Sequence, residues 1–310
     1  MKINLSRRYI YIILILLVIE HLVLYNSNPP DYRPVNCDVL KATQHIQIAK
    51  TTINLATTTK SPHPEMFLFI IILTAPSNFG TRQVIRTTWL KDVVKNPNIK
   101  YKFFAGTKNF SPRKKDYLSR ETKRTKDIVI FEDFEEHYTR LTYKMLRIMK
   151  WVQQNTNAQY YLKVDDDSYL VVERLINILL KEDLPKNKFA MGRVHKRPLN
   201  VAKTGKWADV NWILCEEYLS YPVGAGYLLT QDLMKFIAIN SYRLGFHINE
   251  DTAIGAWLGG LNYTLLNDNR IIPYGGEGCD NKVFILHKQS RVYLQRRYKM
   301  WIAKGTVCTE

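Results

Sequence analysis

Apolar and polar positions in this chain alternate between two periods. Residues 67–73 form an apolar run of strand length, and residues 101–105, 128–131 and 159–164 repeat that signature. Between them lie helical candidates at 82–90, 112–125 and 136–154. The last is the plainest, because Tyr138, Leu141, Met145, Ile148, Met149 and Val152 recur at helical spacing and so belong against a core. Strands alternating with helices predict an α/β fold with a mostly parallel sheet, in which ligands gather beyond the carboxyl ends of the strands.

The second half is less regular. A helix is expected over 169–180, a short strand over 188–194, and then a long loop carrying Trp207, Trp212 and Cys215. A strand over 223–229 contains Gly224 and Gly226, whose missing side chains let a ligand or another chain approach closely. Asn249 is placed to cap a helix over 252–258.

The amino terminus has a different pattern. Lys2, Arg7 and Arg8 precede an apolar stretch at 9–25 that is interrupted by Glu20 and His21. A fully apolar span would need about 20 residues. Positive charge on the amino side and no small-residue cleavage site nevertheless predict an uncleaved type II signal anchor. Residues 1–8 would then be a cytoplasmic tail, the polar, Pro- and Thr-bearing stretch 26–64 a stem, and 65–310 a lumenal domain.

Composition narrows this further. An apolar content of 46% in 310 residues excludes wholesale disorder. Lys and Arg outnumber Asp and Glu by 45 to 28, a formal charge of +17 that attracts anionic partners such as nucleotides, sulfated sugars or phospholipids. No zinc-finger spacing, RNA-binding aromatic signature or base-reading basic helix accompanies the charge, so nucleic acid is not an expected partner. Cys37, Cys215, Cys279 and Cys308 are too widely spaced for a zinc site, and in an oxidising lumen they allow two disulfides in three pairings. Asn109 and Asn262 open glycosylation tripeptides.

The chemistry is concentrated in Asp165-Asp166-Asp167, at the end of the run 159–164. Three crowded carboxylates repel one another and resist desolvation, which a bound divalent cation relieves. Hard oxygen ligands favour magnesium, calcium or manganese, and open coordination positions would suit phosphate oxygens. A solvated acidic turn before a helix is the plainer alternative. Glu250 and Asp251 open a helix, where acidic residues also have a structural reason to sit, yet a carboxylate there could serve as a general base. His287 follows an apolar pair as either a metal ligand or a satisfied strand-end histidine.

Taken in order, Arg82 to Trp89, Glu132-Asp133-Phe134, Lys163 to Ser168, Gly224 to Tyr227 and Glu250-Asp251 resemble the motifs of the β-1,3-galactosyltransferases of glycosyltransferase family 31. The resemblance covers roughly 66–310, and Gly192 to Val194, the stretch 206–215 and Gly278 to Ser290 bring it nearest the members that build the glycosaminoglycan linker of proteoglycans. It implies a GT-A type fold with one catalytic domain and a mixed, mostly parallel sheet, a UDP-galactose donor, a Mn2+ cofactor and a Golgi location. By that likeness Asp167 and His287 would bind the metal. Arg82, Arg86, Asp165, Asp166, Gly224, Gly226, Tyr227 and Glu250 would bind the nucleotide sugar, and Asp251 would be the catalytic base. Thr252 departs from the family's usual valine. Another β-1,3-transferase using UDP-N-acetylglucosamine, or a different acceptor, is the nearest alternative, and a noncatalytic lumenal carbohydrate-binding protein is a second.

Overall fold

The computed structural model describes residues 66–195, 199–274 and 279–308. The expected tail, anchor, stem and Cys37 lie outside them. Among the described residues no helix is long and apolar enough to cross a membrane.

β1 (Met66–Leu73) is central because both of its faces are apolar and buried. It is flanked in parallel by β2 (Ile99–Gly106) and β4 (Ala158–Asp165), and β3 (Ile128–Phe131) extends β2. β7 (Gly226–Thr230) then runs antiparallel to β4, and β6 (Phe189–Gly192) antiparallel to β7, with β8 (Thr264–Asn267) parallel to β6 at the edge. The order is β3-β2-β1-β4-β7-β6-β8. A small second sheet joins β5 (Tyr169–Leu170), β10 (Ile285–Leu286) and β9 (Ile271–Ile272), with β10 in the middle. The fold is thus the α/β arrangement with a mixed, mostly parallel sheet that the resemblance implied.

Alternation along β1 divides the core in two. Leu68, Ile70 and Ile72 face α1 (Phe79–Thr87), α2 (Leu90–Val94) and α5 (Val172–Lys181), together with the small sheet. Phe69, Ile71 and Leu73 face α4 (Leu141–Asn155), α6 (Gln231–Asn240) and α7 (Glu250–Leu258). α3 (Pro112–Thr125) has the predicted bounds, with Pro at its first position. The helix expected from residue 169 starts instead at Val172, because Tyr169 and Leu170 pair with β10. α6 and the terminal α8 (Arg291–Lys304) were not expected.

Cys279 and Cys308 form a disulfide that ties the segment before β10 to the end of α8. The long loop after β6 builds a small core of its own from Trp212, Tyr218, Tyr221 and their neighbours. Tyr218, Tyr221 and Val223 of that core line one cleft with Leu73 and Asp165 at the ends of β1 and β4.

Candidate active site

β1 and β4 end side by side, with Leu73 paired to Asp165, and the chain turns there through Asp166 and Asp167. The turn is held by Asp166 N–H donating to the Leu73 carbonyl at 3.1 Å and Ser168 N–H to the Asp165 carbonyl at 3.1 Å. A cleft of about 700 Å³ opens above it, lined by all three aspartates, Gly224, Glu250, Asp251 and His287. That volume suits a small-molecule site.

The three carboxylates diverge. Asp166 turns toward the β1–α1 loop, accepting hydrogen bonds from Thr74 Oγ1 at 2.5 Å and Asn78 Nδ2 at 2.9 Å. Burial pushes its carboxyl up. Asp165 and Asp167 converge on His287, whose Nε2 lies 3.5 Å from Asp165 Oδ2 and 3.1 Å from Asp167 Oδ1. One donor atom from each of these three residues lies within 4.8 Å of the others. His287 Nδ1 is 2.8 Å from the Pro273 carbonyl, and an N–H donated there leaves the Nε2 lone pair aimed at the carboxylates. Two hard oxygens and an imidazole on one point fit a divalent cation of the manganese type. Burial raises the Asp167 carboxyl, but His287 more than offsets this and holds it low. Burial likewise depresses His287, and Asp167 and Asp165 outweigh it. Asp165, expected on the nucleotide-sugar side, thus stands among the candidate metal ligands as well.

Across the cleft the first turn of α7 presents Glu250 and Asp251. Asp251 Oδ2 accepts from Gly224 N–H at 3.0 Å and Oδ1 from Thr252 N–H at 2.9 Å, so one backbone donor orients each oxygen. Burial nevertheless raises its pKa. A Cβ at Gly224 would sit 3.3 Å from Asp251 Oδ2, so any larger residue would press on the carboxylate. Asn249 occupies the cap position but makes no side-chain cap. Its Nδ2 donates instead to the Trp207 carbonyl at 3.0 Å.

Lys163 joins the two sides, a role that no motif in the sequence announces. Its buried Nζ donates to the Gly224 carbonyl at 2.5 Å and to Asp165 Oδ1 at 3.0 Å, and it ion-pairs Glu250 Oε1. Burial would depress this ammonium, but Asp165 and Glu250 outweigh it and raise its pKa. Glu250 is pushed up to about 7, by burial first, with Lys163 opposing. A second buried cation, Lys144, also lines the cleft, donating at 2.6 Å to both the Thr74 carbonyl and Glu136 Oε1. The legible signal in both cases was a lysine at an inward position, Lys163 within a strand and Lys144 within the stripe of α4.

Four residues expected at the nucleotide sugar are not among those lining the cleft. All five N–H donors of Arg82 are taken, by Glu121, Thr74 Oγ1 and the Ala75 and Pro76 carbonyls, in a fully buried cluster. Arg86 grips Asp127 through two bonds of 2.7 and 2.9 Å and pairs with Glu121. Neither lines the cleft. Gly226 sits within β7, where a Cβ would come 2.8 Å from Ile285 Cδ1, so its smallness seats the small sheet on the large one. Tyr227 points into the core under α4, α6 and α7, with its ring 5.6 Å from Lys163 Nζ.

Residues 80–268 match the galactosyltransferase family, more than half of the chain. The chain belongs to this family. Over 251 residues the family member is 26% identical to beta-1,3-galactosyltransferase 6 of Mus musculus, covering 80% of this chain and 77% of that one. It is 30% identical over 148 residues to UDP-GalNAc:beta-1,3-N-acetylgalactosaminyltransferase 2 of Homo sapiens, covering 47% of this chain and 29% of the relative. A hydroxyproline O-galactosyltransferase, GALT2 of Arabidopsis thaliana, is 28% identical over 234 residues, covering 72% and 33%. The chain therefore spans most of the mouse relative and roughly a third of the other two. Membership makes it a glycosyltransferase of β-1,3-hexosyltransferase type, while the relatives' names divide between galactose and N-acetylgalactosamine as the sugar transferred. His287 lies beyond the matched residues.

Proposed function

We propose that this chain is an inverting β-1,3-galactosyltransferase that moves galactose from UDP-galactose to the 3-hydroxyl of an acceptor galactose, with galactosyl-xylose of the glycosaminoglycan linker as the acceptor. The observation that carries the reading is that Asp251 and the Asp165, Asp167 and His287 cluster face one cleft, tied together through Lys163. The mouse relative's name supports galactose as the sugar transferred.

The acceptor hydroxyl attacks the anomeric carbon from the face opposite the nucleotide. A new C–O bond forms as the bond to the diphosphate breaks, UDP departs with the electron pair, and an α-linked donor gives a β product. Asp251 takes the hydroxyl proton. Its two oxygens are fixed by Gly224 and Thr252, and burial makes it more basic than an exposed aspartate. Mn2+ held by Asp165, Asp167 and His287 would offset the charge that grows on the diphosphate. Lys163 holds Asp165 toward that point and keeps Glu250 from repelling Asp251 without compensation. We place the protein in the Golgi membrane through the 9–25 anchor, with 65–310 in the lumen.

The test is direct. The purified chain is given UDP-galactose, UDP-N-acetylgalactosamine or UDP-N-acetylglucosamine with galactosyl-xylose, with and without Mn2+, and the product linkage is read by NMR. A Mn2+-dependent β-1,3-digalactosyl product supports the reading, whereas turnover only with an N-acetylhexosamine donor rejects it.

A further inference from the structure

Two large aromatic rings stand open in the cleft on the Asp251 side. Trp207 is 61% exposed and Tyr138 is 40% exposed, and both line the cavity. Two adjacent exposed rings on a cleft wall form an apolar patch of the kind that marks a ligand-binding groove.

These two are fixed in place. Trp207 Nε1 donates to the Tyr138 hydroxyl at 3.0 Å, and Asn249 Nδ2 holds the Trp207 carbonyl at 3.0 Å. Lys206 Nζ sits 4.3 Å from the Tyr138 ring centre. The indole N–H is spent on its neighbour, and Lys206 Nζ, also 5.9 Å from the Trp207 ring centre, is the polar group beside the otherwise apolar pair. The strap from Asn249 sets the pair two residues from the base. Burial raises the Tyr138 phenol, the hydrogen bond from Trp207 opposes it, and the charges of Asp251 and Glu250, which reach the phenol, raise it further. The cation-binding cluster, where a donor diphosphate belongs, is built from β4 and the segment after β10.

We propose that Trp207 and Tyr138 form the acceptor platform, an aromatic wall that takes the C–H face of a β-galactopyranoside and presents its 3-hydroxyl to Asp251. This rests on the galactosyltransferase reading of the cleft. The chemistry of the ring selects the ligand. The axial 4-hydroxyl of galactose leaves the opposite face with only C–H groups, and a flat aromatic surface there buries apolar area while the equatorial 3-hydroxyl stays free at the edge. Rigid aromatic anchors lose little entropy in doing so.

The experiment measures initial rates with the whole protein, varying a β-galactoside acceptor and UDP-galactose in turn, for wild type, Trp207→Ala, Trp207→Phe and Tyr138→Ala. Trp207→Ala should raise the acceptor KM by about tenfold or more, by more than it changes the donor KM, and Trp207→Phe should recover most of the loss. Tyr138→Ala should shift the acceptor KM in the same direction. The platform is overturned if Trp207→Ala keeps the acceptor KM within about threefold, or if donor and acceptor KM rise together. A wild-type protein that turns over no galactosyl donor overturns the reading of the cleft itself, and the platform with it.

Discussion

Lys163 and Asp165 project from the same face of β4, two positions apart, and Lys163 Nζ lies 3.0 Å from Asp165 Oδ1. The same ammonium pairs with Glu250 at the start of α7. One buried charge therefore balances two carboxylates on opposite sides of the cleft. Removing it with Lys163→Met should cost about 3–5 kcal/mol, because buried Glu250 and partly exposed Asp165 both lose their cation. Urea unfolding reads this, and adding Glu250→Gln should recover part of it. A loss below about 1 kcal/mol would show the strut to be dispensable.

Asp251→Asn keeps the size of the side chain but can accept only one of the two backbone hydrogen bonds and cannot take a proton. Transfer should fall by about 10²–10⁴, with UDP affinity retained in calorimetry. An Asn variant that transfers at the wild-type rate would remove Asp251 from the mechanism.

Asp167→Ala and His287→Ala each delete one donor from the cation cluster. Both should weaken Mn2+ binding to the free protein and abolish the Mn2+ dependence of UDP binding, as titration calorimetry with and without the metal would show. Unchanged Mn2+ stimulation in Asp167→Ala would count against the site.

Arg82 gives a test of place. A fully buried guanidinium against Glu121 predicts that Arg82→Met destabilises the fold by about 3–5 kcal/mol. The motif alone suggested a nucleotide contact. That role would return if Arg82→Met left the melting temperature intact and raised only the donor KM.

The Arg86–Asp127 pair predicts an acid limb. Burial pushes the Asp127 carboxyl up, but hydrogen bonds from Arg86 and Thr125 and the Arg86 charge outweigh it and hold the folded value below the ordinary one. In that window the unfolded chain binds more protons, so stability rises with pH. The contribution is complete above the unfolded value of about 3.9 and is lost as pH falls through the folded one. Arg86→Met should flatten this limb in pH-dependent denaturation. An unchanged limb would mean that the pair carries no linkage.

The sequence displayed the frame well because burial on two faces leaves a long apolar run, as in β1, and burial on one face leaves a periodic stripe, as in α4. α8 hid because only Leu294 on it is buried, so no stripe forms, although Ser290 and Gly305 bracket it as cap residues. α6 did carry a stripe, in Leu233, Met234, Ile237 and Ala238. The two-residue strand β5 was read as helix because an apolar run so short has no period of its own. At the site, the aspartate triplet was visible as charge crowding, but which carboxylate turns which way depends on Thr74, Asn78 and His287, each distant in sequence. The partners of Arg82 and Arg86 were hidden for the same reason. Nothing within the motif announces that Glu121 and Asp127 lie close enough to occupy them.

The missing side chain of Gly226 has a consequence for the order in which the enzyme becomes competent. Ile285 can seat against β7 only because nothing projects there, and His287 hangs two residues further on. The aspartates leave the ribosome long before that histidine does, so the nascent protein carries an unfinished chelating centre until its tail folds back. A truncation before β10 would remove His287 from the candidate cation cluster and would also strip Ile285, Leu286 and Leu294 from the core on that face of the sheet.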